Sequence, residues 1–151
     1  MKIIFLDIDG VLVTRSYLEK LTASGKSIAD GGMHVFDPKC VANLKRILDA
    51  TDAKIVLSSS WKFLGPRFHK MWKKRRIPGE VIGFTPNRTN RGTEIEDWLS
   101  IEIPRPESFV IIDDDINDML VGQLPNIVKT EFSTGLTDEK TEDAIHILNG
   151  G

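Results

Sequence analysis

Apolar and polar positions along this chain are grouped in blocks rather than alternating residue by residue. Ile3-Ile4-Phe5-Leu6, Ile55-Val56-Leu57 and Phe109-Val110-Ile111-Ile112 are short continuous apolar runs rich in β-branched side chains. Runs of this kind suit strands covered on both faces, as in a parallel sheet; a half-solvated strand would alternate. Val81-Ile82-Gly83-Phe84 and Ile127-Val128-Lys129, each following a proline-containing turn, are weaker strand candidates. Between them the apolar positions adopt helical spacing. Asp37-Pro38 reads as an N-cap followed by proline at the first helical position, with Val41, Leu44, Ile47 and Leu48 on one face. A second helix is predicted from near Pro66, with Phe68, Met71 and Trp72 inward. Trp61, Phe68 and Trp72 are residues that could stack on bases, but the offsets of seven and eleven residues from Trp61 favour one buried helical face. A third helix is predicted over Gly92 to Ser100, with Ile95, Trp98 and Leu99 as its stripe and Thr93-x-x-Glu96 as a capping box. The last runs roughly from Thr137 to Leu148 and buries Ala144, Ile145 and Leu148.

This order of strands and helices predicts an α/β fold: a Rossmann-like doubly wound, mainly parallel sheet with helices on both faces. Ligands of such sheets gather at the carboxyl ends of the strands. The three strongest strands lead into Asp7-Ile8-Asp9, Ser58-Ser59-Ser60 and Asp113-Asp114-Asp115, so three clusters remote in sequence are expected at one edge. Asp7 and Asp9 point to the same side while the chain stays extended. Paired carboxylates require a shared proton or a cation, and a second acidic group at the same edge favours the cation. All-oxygen donors select a hard ion, and a site that also receives phosphate oxygens would favour Mg²⁺. Gly10 allows the chain to turn away sharply after Asp9.

Length and composition narrow this picture. The chain's 151 residues suit one domain, 1–151, and its 40% hydrophobic and 28% charged residues suit a soluble globular protein. No apolar stretch approaches the ~18 residues needed to span a bilayer, and no signal-like segment precedes Asp7, so a cytoplasmic protein without a membrane partner is expected. The lone Cys40 has no disulfide partner and reads as a packing residue. A net charge of −2 hides a strong asymmetry: residues 61–92 carry nine Lys and Arg against one acid, and residues 93–151 fourteen acids against three bases. The middle is a candidate anion-binding face, the last part a candidate cation-binding one. Within the basic middle, Lys73-Lys74-Arg75-Arg76 also complements a helix C-terminus and stays hydrated.

At this point the chain resembles a known superfamily. Phe5-Leu6-Asp7-Ile8-Asp9-Gly10-Val11-Leu12 is similar to the first motif of haloacid dehalogenase-like (HAD) phosphohydrolases, and Ile55-Val56-Leu57-Ser58 to the second. Arg91, just before a helix, stands where the third motif has its basic residue, usually lysine. Val110-Ile111-Ile112-Asp113-Asp114-Asp115-Ile116-Asn117-Asp118 resembles the fourth. The resemblance implies Asp7 as nucleophile and Asp9 as general acid and base. Ser58, Ser59 and Arg91 would bind phosphate. Mg²⁺ would be held by Asp7, the backbone carbonyl of Asp9 and a carboxylate of the Asp113-Asp114 pair, with Asp114 preferred and Asp118 the motif's further acid behind them.

Many members insert a cap domain after the first motif or between the second and third. Here the Leu12-to-Phe36 gap, with Gly25, Gly31 and Gly32, suits a flap or minimal lid over about 12–36, so a cap-less site is expected. His34 would reach that site if the flap folds over it. Leu57-Ser58-Ser59-Ser60-Trp61 and Gly92-x-Glu94-Ile95-x-x-Trp98-Leu99 further resemble the small HAD domains of Swiss-army-knife RNA-repair proteins. That likeness implies a phosphorylated substrate of nucleotide or nucleic-acid type, with which the basic middle is compatible. The alternative is a phosphate- or nucleic-acid-binding module that keeps the HAD fold with little turnover.

Overall fold

The structure, a computed structural model, describes residues 1–151. The elements in chain order are β1 (Lys2–Leu6), α1 (Arg15–Ala23), β2 (Ala29–Asp30), β3 (Met33–His34), α2 (Pro38–Thr51) and β4 (Lys54–Leu57). A 3₁₀ turn (Ser60–Leu64) follows, then α3 (Pro66–Lys74), β5 (Val81–Phe84), α4 (Arg91–Ile101) and β6 (Ser108–Asp113). A second 3₁₀ turn (Val121–Asn126) leads to β7 (Ile127–Lys129) and α5 (Asp138–Leu148). All five apolar runs are strands of one parallel sheet, ordered β5-β4-β1-β6-β7.

The central strand sets the register that positions the site. Leu6 of β1 pairs with Leu57 of β4 on one side and Ile112 of β6 on the other. The next residues, Asp7, Ser58 and Asp113, therefore emerge side by side at the carboxyl edge. The chain winds from β1 out to β5, then returns across β1 to β6 and β7. The order reverses at β1, the switch point where open sheets of this kind bind ligands.

Continuous apolar runs are required because both sheet faces are covered. Ile4, Leu6, Ile55, Leu57, Val110 and Ile112 pack with α2, α3 and α5, whereas Ile3, Phe5, Val56 and Ile111 pack with Ile95, Trp98 and Leu99 of α4. Each such side chain, fully withdrawn from water, contributes about 1.5–3 kcal/mol. Asp37 caps α2 by accepting from the Lys39 amide, with Pro38 in the first turn as expected. Cys40 is buried in the larger core, where burial pushes its thiol pKa up to about 12. No helix is long and apolar enough to cross a membrane.

The structure differs from the sequence-based picture in two places and fills in a third. Helix α4 begins at Arg91, capped by Asn90, whose side chain accepts from the Thr93 amide at 2.9 Å. Thr93 thus lies inside the first turn and is not the cap. Trp61 does not continue the buried face of α3, because Gly65, at φ +57°, breaks the chain between the 3₁₀ turn and the helix. The 12–36 segment holds ordered elements: α1, and the β2–β3 hairpin closed by Gly31-Gly32, both at positive φ. A two-residue loop of this kind matches the right-handed twist of the strands it joins, and glycine adopts it without strain.

Candidate active site

Asp7 is the first residue beyond β1, and its amide still donates to the Ile112 carbonyl at 3.1 Å, which locks its position against β6. Past Asp7 the chain coils tightly, with the Leu12 and Val13 amides both donating to the Ile8 carbonyl. Gly10 adopts φ +83°, and a Cβ there would collide with the Asp114 carboxylate. Glycine at this position is what lets the loop after β1 and the loop after β6 close on each other.

Closure brings carboxylate oxygens of Asp7, Asp113 and Asp114 within 4.8 Å of one another. Arg91, the first residue of α4, donates from Nη1 to Asp113 Oδ2 at 2.7 Å and lies 3.5 Å from Asp7 Oδ2. The other Asp113 oxygen accepts from the Asp115 amide at 3.0 Å. Burial, followed by the neighbouring Asp113 charge, pushes the Asp7 pKa up to about 9 against the opposing pull of Arg91. Burial likewise raises Asp113, again against Arg91. Burial alone would lower the Arg91 pKa, but Asp113 and Asp7 outweigh it and the guanidinium is held more firmly protonated. One guanidinium cannot balance three ionised carboxylates, so without a cation the buried pair holds on to protons. The donor set is all oxygen, and Gly10 makes room for the third carboxylate, so the cluster suits a divalent cation.

Ser58 stands beside Asp7 just beyond the adjoining strand, its amide donating to the Leu6 carbonyl at 2.9 Å. Its hydroxyl is buried with no hydrogen-bond partner. A buried hydroxyl left in this state costs free energy that a bound oxyanion would recover. The Ser59 hydroxyl is engaged, accepting from the Trp61 amide at 3.2 Å as the cap of the 3₁₀ turn. Asp118 lies outside the carboxylate cluster. Its carbonyl accepts from the Gly92 amide at 3.2 Å, and it lines a polar groove with Arg91 and Asp115 at the start of α4.

The structure does not group Asp9 with the three clustered carboxylates. The Asp9 carboxylate instead accepts from the Trp61 indole Nε1 at 3.2 Å. Trp61 packs against the larger core, as its offsets predicted, and in addition donates to Asp9, a contact the offsets did not show. Lys62 was missed too. Its side chain is 8% exposed and its Nζ lies 3.1 Å from Glu94, itself 13% exposed, with the Thr85 hydroxyl and Pro86 carbonyl each at 3.4 Å. Glu94 also accepts from the Arg88 amide at 2.9 Å. This nearly buried ion pair ties the segment 85–91 to the 3₁₀ turn and so holds the approach to Arg91. The only signal in the sequence was that Trp61 and Glu94 fall within the finer motif runs, which gave neither a role.

The basic run of 73–76 is not one surface. Arg75 donates to the Asp30, Met33 and His34 carbonyls and lies 4.9 Å from the Phe36 ring centroid, which fastens the hairpin onto α3. His34 and Met33 of that hairpin share a groove with Asp9, Trp61 and Phe63.

A family model described as the HAD domain in Swiss Army Knife RNA repair proteins matches residues 3–141. No curated protein and no solved structure matches the chain at a significant level.

Proposed function

The chain belongs to the family of HAD domains in Swiss Army Knife RNA repair proteins and is a HAD-type phosphatase, and from that premise we propose that it hydrolyses nucleotide or nucleic-acid end phosphates through Asp7. One observation carries the assignment: the partnerless Ser58 hydroxyl and the Arg91 guanidinium flank Asp7 at the one point where three carboxylates converge. That combination pairs a nucleophile with donors for a phosphoryl group and with a seat for a cation.

In this reading an Asp7 oxygen attacks phosphorus in line, and the bond to the leaving oxygen breaks as Asp9 donates a proton to it. The acyl phosphate on Asp7 is then cleaved by water. Asp9 takes the water's proton, the new oxygen bonds to phosphorus, and the Asp7 carboxylate and inorganic phosphate are released. Ser58 and Arg91 donate to the phosphoryl oxygens throughout, with the Ser59 hydroxyl shaping the turn that carries Ser58. Trp61, through Nε1, holds the Asp9 carboxylate on the leaving-group side. Mg²⁺ would be held by Asp7, the Asp9 backbone carbonyl and Asp114. Asp113, with both oxygens committed to Arg91 and the Asp115 amide, steers the arginine instead. When bound, the ion offsets the carboxylate charge that would repel a phosphate dianion and keeps Asp7 ionised.

The test is a turnover screen with Mg²⁺ over an aryl phosphate, sugar phosphates, mononucleotides and oligonucleotides phosphorylated at the 3′ or 5′ end. Preferred turnover of nucleotide or oligonucleotide ends, abolished in Asp7→Asn and by chelation, supports the reading. Wild-type turnover in Asp7→Asn, or preference for a sugar phosphate, overturns it.

A further inference from the structure

The side of the site that would face the leaving group has its own character. Beyond Asp9 lies an open groove of about 380 Å³ between the β2–β3 hairpin and the 3₁₀ turn, lined by Met33, His34, Trp61, Phe63 and Leu64 among others. Phe63 is 73% exposed, and Asp9 is the only carboxylate among the lining residues. Asp9, His34 and Ser60 supply the groove's polar groups, and Met33, Trp61, Phe63 and Leu64 its apolar surface. A flat aromatic ligand would find faces to stack on.

Met33 is shared with a second groove of about 210 Å³ between the hairpin and α3, lined by Arg67, Lys70, Lys74 and Arg75 together with Asp30 of the hairpin. Arg75 is spent on the hairpin carbonyls. Arg67, Lys70 and Lys74 are exposed, and none of the molecule's ion pairs includes them. Their spacing places them on one face of α3 over about 10 Å, turned away from the buried Phe68 and Trp72 and bordered by Met71, which lines the same groove. An aromatic seat that leads from the reacting edge onto a strip of uncommitted cations is complementary to a base followed by a phosphate backbone. Stacking platforms joined to basic tracks are the general solution for holding single strands.

We propose that the terminal nucleotide of a single-stranded nucleic acid seats its base against Phe63 and Trp61, while Arg67, Lys70 and Lys74 take phosphates of the adjoining nucleotides. The proposal rests on the assignment of Asp9 to the leaving-group side. It narrows the substrate from any nucleotide to a strand end, because a mononucleotide does not extend past the hairpin to α3.

The test measures fluorescence anisotropy of labelled single-stranded hexamers, made as RNA and as DNA, with a phosphate at either end. They are bound to Asp7→Asn protein with Mg²⁺, and the phosphorylated residue carries either its base or an abasic sugar. Loss of the base is expected to weaken binding about tenfold in at least one series, and this penalty is expected to fall below about twofold once Phe63→Ala is added. Adding Arg67→Gln, Lys70→Gln and Lys74→Gln together is expected to reduce the slope of log affinity against log salt by about 2 while leaving the base penalty in place. Equal affinity for base-bearing and abasic ends in every series overturns the proposal, as does an unchanged salt slope in the triple variant. A phosphopeptide that binds more tightly than any hexamer would also overturn it. Turnover of an aryl phosphate by the native protein is scored separately: its absence sinks the phosphatase reading, while the base penalty still decides this one.

Discussion

Two charged regions of the molecule, the carboxylate cluster and the exposed face of α3, hold their charges in opposite ways. At the carboxyl edge Asp7 and Asp113 are buried, and Arg91 sits within ion-pair reach of both. Water cannot screen them, so each group's ionisation depends on its neighbours and Asp7 is pushed up to about 9. On α3, Arg67, Lys70, Lys73 and Lys74 stand in water, where interactions fade over about 10 Å in ordinary salt. Arg75 lies between the two regimes: half-buried, its pKa lowered by burial, and held by backbone carbonyls. Charge counted along the sequence thus describes the exposed strip well and the buried cluster poorly. One is read through salt, the other through pH, cations and single-atom substitutions.

The contrast is sharpest at Asp7. Asp7→Asn is expected to lower kcat by about 10⁴-fold on every substrate, measured against an aryl phosphate, with the fold retained in circular dichroism. The next effect is on stability. A carboxyl whose folded pKa lies above its unfolded value of 3.8 favours the folded state in its protonated form. Its contribution is therefore complete below about pH 4 and lost as the pH rises towards 9. In chelator, the native protein is expected to lose thermal stability relative to Asp7→Asn across that window, and Mg²⁺ to restore it. Parallel pH profiles for the two proteins would show that the cluster does not titrate as described.

Lys62→Met tests whether the nearly buried Lys62–Glu94 pair behaves like the cluster or like the strip. Stranding Glu94 is expected to cost about 3 kcal/mol in urea unfolding, with much of it recovered in Lys62→Met/Glu94→Gln. Trp61→Phe removes one donor from Asp9. An expected loss of about tenfold in kcat on an alkyl phosphate should shrink below about threefold on p-nitrophenyl phosphate, whose leaving group needs no proton. Equal losses on both would assign Trp61 to packing alone. Lys73→Gln, on the exposed strip, is expected to change unfolding free energy by less than about 0.5 kcal/mol.

The five strands and most of the helices were legible because an apolar run between turn signals has few other uses in a chain of this length. The meeting of Asp7, Ser58 and Asp113 was legible for a related reason: each follows a buried strand, and parallel strands end at one edge. Trp61 packs against the core as its offsets indicated, but periodicity alone cannot see that Gly65 interrupts the helix or that the indole turns to Asp9. Lys62 and Glu94 gave no local signal, since neither their burial nor their pairing is a property of nearby residues. The basic run of 73–76 looked uniform because sequence counts charges without showing that Arg75 is turned back onto the hairpin.

By itself, then, the sequence determined the layered α/β architecture, the edge where the acids gather and the family to which they belong. These follow from local patterns and from the rule that strands of one sheet share a direction. Only the tertiary structure decided that Asp113 is committed to Arg91, that Asp9 is held by Trp61, and that the hairpin borders both an aromatic groove and a basic one. Those outcomes depend on which side chains meet across separate elements and how far water is excluded where they meet.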